Sequence, residues 1–106
     1  GVWAQLRLVE AGGGLRAPMD SVLLSCHGSG FTFKNFVLLW YRQAPGGTPE
    51  WVSMISSLSG TIKHYRAEVQ GRAMVSRNNF QSELSLSLHA LNPQDSARYF
   101  CSVRYS

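Results

Sequence analysis

The sequence predicts an all-β domain in which two antiparallel sheets pack face to face as a sandwich. Short apolar or alternating segments recur at intervals of about ten residues, and no segment repeats its apolar residues at helical spacing. Turn residues separate these segments at positions 12–14, 28–30, 44–47, 59–60 and 92–93. The 106 residues, 44% of them hydrophobic, suit one core, so a single domain over 1–106 is expected.

Each predicted strand follows from a local pattern. In chain order the strands are expected at residues 5–10, 22–26, 38–43, 51–56, 73–77, 83–91 and 98–103. The sixth has the purest alternation, because Leu84, Leu86 and Leu88 alternate with polar residues, which is typical of a strand with one solvated face. The second strand places Val22, Leu24 and Cys26 on one face, and the third places Leu38, Trp40 and Arg42 opposite Leu39, Tyr41 and Gln43.

Charge and motifs exclude several functional classes. The net charge is +4, but the basic residues are scattered from Arg7 to Arg104, so no nucleic-acid partner is expected. No apolar run approaches the ~18 residues of a membrane span, and no leader segment is visible, so a mature chain is expected. His27, His64 and His89 share no face at ligand spacing and no Gly-x-Ser-x-Gly elbow occurs, so no metal, cofactor or enzymatic activity is expected.

The two cysteines, Cys26 and Cys101, are too few and too far apart for a zinc ligand set. A disulfide joining the two sheets suits them better, and it would stabilise the fold by about 4 kcal/mol in the chain-entropy model. Because such a bond persists only in an oxidising compartment, an extracellular chain is expected. The alternative is a pair of buried free thiols in a cytosolic protein.

Cys26, Trp40 and the segment Asp95 to Cys101, with Tyr99 two residues before the second cysteine, together resemble the immunoglobulin variable domain. The strings at residues 8–15, 29–33, 42–46 and 50–53 resemble antibody heavy-chain variable domains in particular. The resemblance implies a V-type sandwich in which Trp40 packs on the inter-sheet disulfide and Tyr99 forms a tyrosine corner. It also implies a charge cluster at the lower end of the core, made of Arg42, Glu50, Arg72 and Asp95.

The family binds other molecules, protein antigens among them, through three loops at one end of the sandwich. Carried over by position, these loops are residues 32–37, 56–64 and 102–106. The side chains expected to contact the ligand are Lys34, Asn35, Phe36, Leu58, Lys63, His64, Arg104 and Tyr105. Arg77 matches a position that supports the second loop from beneath.

A heavy-chain domain normally meets a light chain through the outer face of its second sheet. That face is expected to carry Tyr41, Gln43, Pro49, Trp51, Arg98 and Phe100. A tyrosine at the position of Tyr41, directly after the core Trp40, is similar to the sequence of camelid single-domain antibodies and of many T-cell-receptor variable domains. Pro49 removes an apolar side chain and Arg98 adds a charge, which together favour an unpaired, secreted, nanobody-like domain.

The alternative is a variable domain of a multi-chain immune receptor on a cell surface or in an antibody. It would be a light-chain-paired heavy-chain domain, a heavy-chain-like T-cell-receptor domain, or a surrogate-type domain that receives a strand from another chain. The last arises because the family's final strand, with its Trp-Gly-x-Gly or Phe-Gly-x-Gly motif, is expected to be missing or truncated here. Residues 1–4 precede the family's start and are expected to be extra.

Overall fold

A computed structural model describes residues 7–12 and 19–104, and within them it contains strands and short 3₁₀ turns but no α-helix. The strands are β1 (Arg7–Gly12), β2 (Val22–Ser29), β3 (Val37–Gln43), β4 (Glu50–Ile55), β5 (Lys63–Tyr65), β6 (Ala73–Asn78), β7 (Glu83–Leu88) and β8 (Arg98–Arg104). The 3₁₀ helices are η1 (Phe33–Asn35), η2 (Ala67–Val69) and η3 (Pro93–Asp95).

The strands form two antiparallel sheets, which confirms the predicted sandwich. One sheet has the order β1-β2-β7-β6 and the other β5-β4-β3-β8. A disulfide between Cys26 in β2 and Cys101 in β8 joins the sheets, with 6.5 Å between the two Cα atoms. The indole of Trp40 belongs to the same core and is 1% exposed.

Alternation along the strands builds the core between the sheets. Leu84, Leu86 and Leu88 of β7 are each fully buried, whereas Ser85 and Ser87 lie on the opposite, outer face. Burying each leucine contributes roughly 1.5–3 kcal/mol, so β7 alone gives the first sheet a strong preference for this register. A shift by one residue would bury serines instead.

Two strand predictions need correction. β7 ends at Leu88 rather than at residue 91, because Ala90 adopts φ +49° and Arg72 donates hydrogen bonds to the carbonyls of His89 and Ala90. β5 was not predicted from the sequence; it pairs with β4 at the sheet edge through three residue pairs. A strand this short and polar leaves no alternation to detect.

The ends of the chain also differ from expectation. β1 runs to Gly12, further than residue 10, and residues 5 and 6 of the predicted strand lie outside the described residues. β8 is present through Arg104 and pairs with β3 along its whole length. The family strand that was expected to be missing would follow residue 104, and that part of the chain lies outside the described residues.

Candidate ligand-binding site

Three connections meet at one end of the sandwich, and Leu58 lies where they meet. Its N–H donates to the carbonyl of Lys34 in η1 at 2.8 Å. Its own carbonyl accepts from Nδ2 of Asn79, in the β6–β7 turn, at 2.7 Å. The Leu58 backbone has φ +59°, and its side chain is 57% exposed. Hydrogen bonds from two neighbouring segments therefore hold an apolar side chain in solvent.

Arg77, in β6, ties these connections together from beneath. Its Nη1 donates to the carbonyls of Phe36 at 2.8 Å and Ser56 at 2.6 Å, and its Nη2 donates to the carbonyl of Phe33 at 2.9 Å. The guanidinium also lies 5.1 Å from the centroid of the Phe33 ring. Burial lowers the pKa of Arg77, but a guanidinium stays protonated at physiological pH. One rigid cation thus fixes the relative position of two loops.

The β4–β5 turn, residues 56–62, is closed by its own hydrogen bonds. The Ser56 N–H donates to the Ile62 carbonyl at 2.9 Å, and the Ile62 N–H donates to Oγ of Ser56 at 3.1 Å. Gly60 is buried in the turn with φ +67°, and a Cβ there would come within 2.8 Å of Cδ1 of Ile55. Only glycine satisfies both the backbone angle and the space.

The opposite end of the sandwich is closed by ion pairs. Nη1 of Arg42 lies 3.2 Å from Oδ1 of Asp95, and Nε of Arg42 donates to Oε1 of Glu50 at 2.9 Å. Arg72 donates to both carboxylate oxygens of Asp95, at 2.8 and 3.1 Å, and the Tyr99 hydroxyl donates to the Asp95 carbonyl at 2.8 Å. Burial acts to raise the pKa of Asp95, but hydrogen bonds from Arg72 and the Asn92 N–H outweigh it and lower that pKa. This cluster is structural in character.

Side chains on the outer face of the second sheet contact one another. The rings of Tyr41 and Phe100 stack with their centroids 5.9 Å apart and 16° between their planes. The guanidinium of Arg98 lies 5.7 Å from the Phe100 centroid. Nε2 of Gln43 donates to the carbonyl of Gly47 at 2.9 Å. Aromatic and amide groups on this face thus have contacts within the chain.

The arrangement of two disulfide-linked sheets with loops gathered at one end agrees with a sequence comparison. The family model of the immunoglobulin V-set domain matches residues 17–106. This chain belongs to that family. V-set domains are non-enzymatic recognition modules and are typically extracellular.

Several predicted ligand contacts of this V-set domain lie at the loop end, here defined as residues 31–36, 56–62 and 79–82 with the adjoining strand ends. Lys34 and Asn35 are exposed in η1, and Leu58 is exposed in the β4–β5 turn. Phe36 was expected to contact the ligand, but it is half-buried and packs against the core, with its ring 5.4 Å from that of Phe31. Only part of its side chain is therefore exposed, and its contact with a ligand stays a prediction.

Three other predicted contacts lie in strands rather than loops. Lys63 and His64 are exposed residues of β5, and Arg104 is the exposed last residue of β8. Residues 102–104 of the expected third loop continue β8 because each pairs with β3. Tyr105 lies outside the described residues.

The β6–β7 turn was not predicted from the sequence to be part of the site. Asn79 contacts Leu58, and the neighbouring Phe80 side chain is fully exposed. Ile62, which is 56% exposed in the β4–β5 turn, was also passed over as a contact. The one available signal was the presence of large apolar residues at turn positions that are normally polar.

The described residues contain neither a cluster of metal-ligating side chains nor a membrane-spanning helix. There, no three His, Cys, Asp or Glu side chains lie close enough to hold a metal ion. Over the same residues, no helix has the length and apolar character needed to cross a membrane. His89 contacts Oγ of Ser21 through Nδ1 at 3.1 Å, at the surface and away from the loop end.

Proposed function

We propose that this V-set domain is a heavy-chain-type recognition module that acts unpaired, in the manner of a single-domain antibody, and binds a protein ligand in the extracellular space. The proposal takes residues 1–106 as one domain. The observation that carries it is the outer face of the second sheet, where Phe100 is stacked on Tyr41 and covered by Arg98. Side chains that would anchor a partner domain are occupied within the chain.

The free-energy cost of burying charge argues against a water-excluded interface with a partner domain at this face. Interface cores are depleted of charge, and burying a guanidinium without a carboxylate partner is costly. Arg98 is exposed and makes no ion pair among the described residues. Pro49 is also exposed, at a position where a larger apolar side chain would extend the contact area. Contact with water is therefore more favourable for this face than burial against a partner domain.

Recognition by the loop end is supported by its rigidity. Binding loses affinity to the ordering of loops and side chains, so a surface ordered in advance binds more tightly. Here the Arg77 guanidinium joins η1 to the β4–β5 turn, and Asn79 joins that turn to the β6–β7 turn. The loop end is thus a preorganised surface on a rigid sandwich.

The test is the association state of the purified chain. We expect sedimentation velocity to show a monomer over a wide concentration range, and we expect no complex with an antibody light chain. Substituting Arg98→Leu should introduce self-association because it places an apolar side chain beside Phe100. Substituting Arg104→Leu, at the far end of the same strand, is the matched control and should leave the monomer unchanged.

The multi-chain alternative has one supporting observation. Trp51 lies opposite Tyr41 across the β3–β4 pair and is only half-buried, so an aromatic surface remains available on this face. A concentration-dependent dimer of the unsubstituted chain, or a stable light-chain complex, would favour this alternative and overturn the unpaired state.

A further inference from the structure

The loop end has an uneven charge distribution. Its exposed ionisable side chains are Lys34, Lys63, His64 and Arg104, whereas Glu83, the acidic residue at the start of β7, is half-buried. Glu50, at the start of β4, and Asp95, in η3, instead belong to the ion pairs at the opposite end of the sandwich. Among the described residues, a ligand that approaches the loops therefore meets an excess of cations.

Three large apolar side chains are exposed on the two turns that Asn79 joins, and we call them the apolar ridge. Leu58 and Ile62 are 57% and 56% exposed, and the Phe80 side chain is fully exposed. The hydrogen bond from Asn79 to the Leu58 carbonyl holds the β6–β7 turn, and with it Phe80, beside the β4–β5 turn. Large apolar side chains grouped in solvent are typical of interaction sites.

The backbone of the ridge is held in an unfavourable conformation. Leu58 has φ +59° and Ser82, at the end of the β6–β7 turn, has φ +52°, which are left-handed angles that side chains rarely adopt. The Ser82 carbonyl accepts from the Gly28 N–H at 2.8 Å, which anchors that turn to β2. Such strain persists only where surrounding contacts enforce it, and it is common at ligand sites.

We propose that the β6–β7 turn forms part of the ligand surface, and that this surface binds an acidic protein segment with apolar side chains that pack on Leu58 and Phe80. This inference rests on the proposed recognition function and names the chemistry of its ligand. Lys34 and Lys63 pair with carboxylates of the ligand, while the ridge supplies the apolar contact. Phe80, which lies outside the three loops expected from the sequence, is one of the energetic anchors.

A protein segment fits this surface better than a nucleic acid does. Nucleic-acid-binding proteins commonly neutralise about 6–10 phosphates through rows of Lys and Arg. The described part of the loop end has only Lys34, Lys63 and Arg104 as exposed permanent cations, because the Arg77 guanidinium is half-buried and donates to loop carbonyls. Exposed leucine and isoleucine side chains also make no favourable contact with a phosphate backbone, whereas they pack into apolar recesses on protein surfaces.

The test uses two synthetic helical peptides with identical leucines, one carrying glutamates and the other lysines at the polar positions. We expect the domain to bind the Glu/Leu peptide at least about tenfold more tightly than the Lys/Leu peptide in biolayer interferometry. Leu58→Ser and Phe80→Ser should each weaken that binding about tenfold. Lys34→Glu should also weaken binding of the Glu/Leu peptide, and the loss should grow as the salt concentration is lowered. Binding by the unsubstituted domain should instead become tighter at low salt.

The matched control substitutions are at residues on other faces of the domain. Leu23 is 64% exposed on the outer face of β2, and Leu23→Ser should leave peptide binding unchanged. Arg98→Glu controls for the change in net charge. All substituted side chains are solvent-exposed, so equal thermal melting temperatures verify that the variants are folded.

The proposal is overturned if neither peptide binds, if the two bind equally, if a single-stranded oligonucleotide binds more tightly than the Glu/Leu peptide, or if Leu23→Ser weakens binding as much as Phe80→Ser. None of those results would change the expectation that the chain sediments as a monomer, so the proposed unpaired state is tested separately. Conversely, a light-chain complex formed by a domain that still discriminates between the peptides would overturn only the unpaired state.

Discussion

Arg42 and Asp95, from β3 and η3, form an ion pair inside the sandwich. Nη1 of Arg42 lies 3.2 Å from Oδ1 of Asp95, and each side chain is 4% exposed. The same carboxylate accepts two hydrogen bonds from Arg72. One carboxylate is therefore shared by two guanidinium groups, of which Arg42 is also paired with Glu50.

Removing that carboxylate should strongly destabilise the fold. We expect Asp95→Ala to lower the free energy of unfolding by about 3–5 kcal/mol, because it removes the buried carboxylate that Arg42 and Arg72 share and leaves Arg72 without an ion-pair partner among the described residues. Urea denaturation followed by tryptophan fluorescence measures this. Glu68→Ala is the control, since the Arg66–Glu68 pair is 26% and 56% exposed and should change stability by less than about 1 kcal/mol. Similar losses in both variants would contradict a buried, stabilising pair.

The same carboxylate should make stability depend on acid pH. The pKa of Asp95 in the folded chain lies below its ordinary value, because the hydrogen bonds from Arg72 and the Asn92 N–H outweigh burial, which acts to raise it. A group of this kind contributes full stability above its unfolded pKa of about 3.9, and loses it as pH falls through the folded pKa. Unfolding free energies measured from pH 7 downward should decline below about pH 5, more steeply than in Asp95→Asn. Parallel pH profiles would assign the decline to other groups.

Arg77 should control the order of the loop end. Arg77→Lys keeps the charge but replaces a planar fork with one ammonium, which cannot reach the carbonyls of Phe33, Phe36 and Ser56 together. We expect a loss of about 2 kcal/mol in stability and faster hydrogen exchange at the Leu58 amide. Arg104→Lys, at an exposed position, should change neither quantity. Unchanged exchange at Leu58 in Arg77→Lys would show that the loop is held by other contacts.

Gly60 should tolerate no side chain. An added Cβ would lie 2.8 Å from Cδ1 of Ile55 and 3.1 Å from Cδ of Arg77, so Gly60→Ala combines a steric clash with an unfavourable φ. We expect a loss of about 2–4 kcal/mol by urea denaturation. Gly46→Ala has a similar φ of +74° with nothing within 4 Å, and it should cost only about 1 kcal/mol. Equal losses would mean that the clash is relieved by movement of the turn.

The strands with regular alternation were predictable from sequence, and the others were not. β7 was predicted because Leu84, Leu86 and Leu88 alternate with polar residues, although its end was placed three residues too late. β5 carries only three residues, two of them exposed, so its pairing with β4 depends on a neighbour far away in the sequence. Local patterns contain no information on such pairing.

The binding surface was predicted only in part. Lys34 and Leu58 were expected at the loops and are exposed there. The packing of Phe36 against the core and the hydrogen bond from Asn79 to Leu58 join segments that are distant along the chain. A single sequence does not show which turns come together at one end of a sandwich.

By itself, the sequence determined the sandwich and its disulfide, because period-two alternation and two well-placed cysteines are local or nearly local signals. Tertiary structure alone decided that Arg77 joins the loops, that Tyr41 and Phe100 cover one another, and that cations gather at one end while Glu50 and Asp95 lie at the other. The reason is physical. Alternation specifies which face of a strand is buried, but only the packing of the two sheets sets which side chains from distant segments meet.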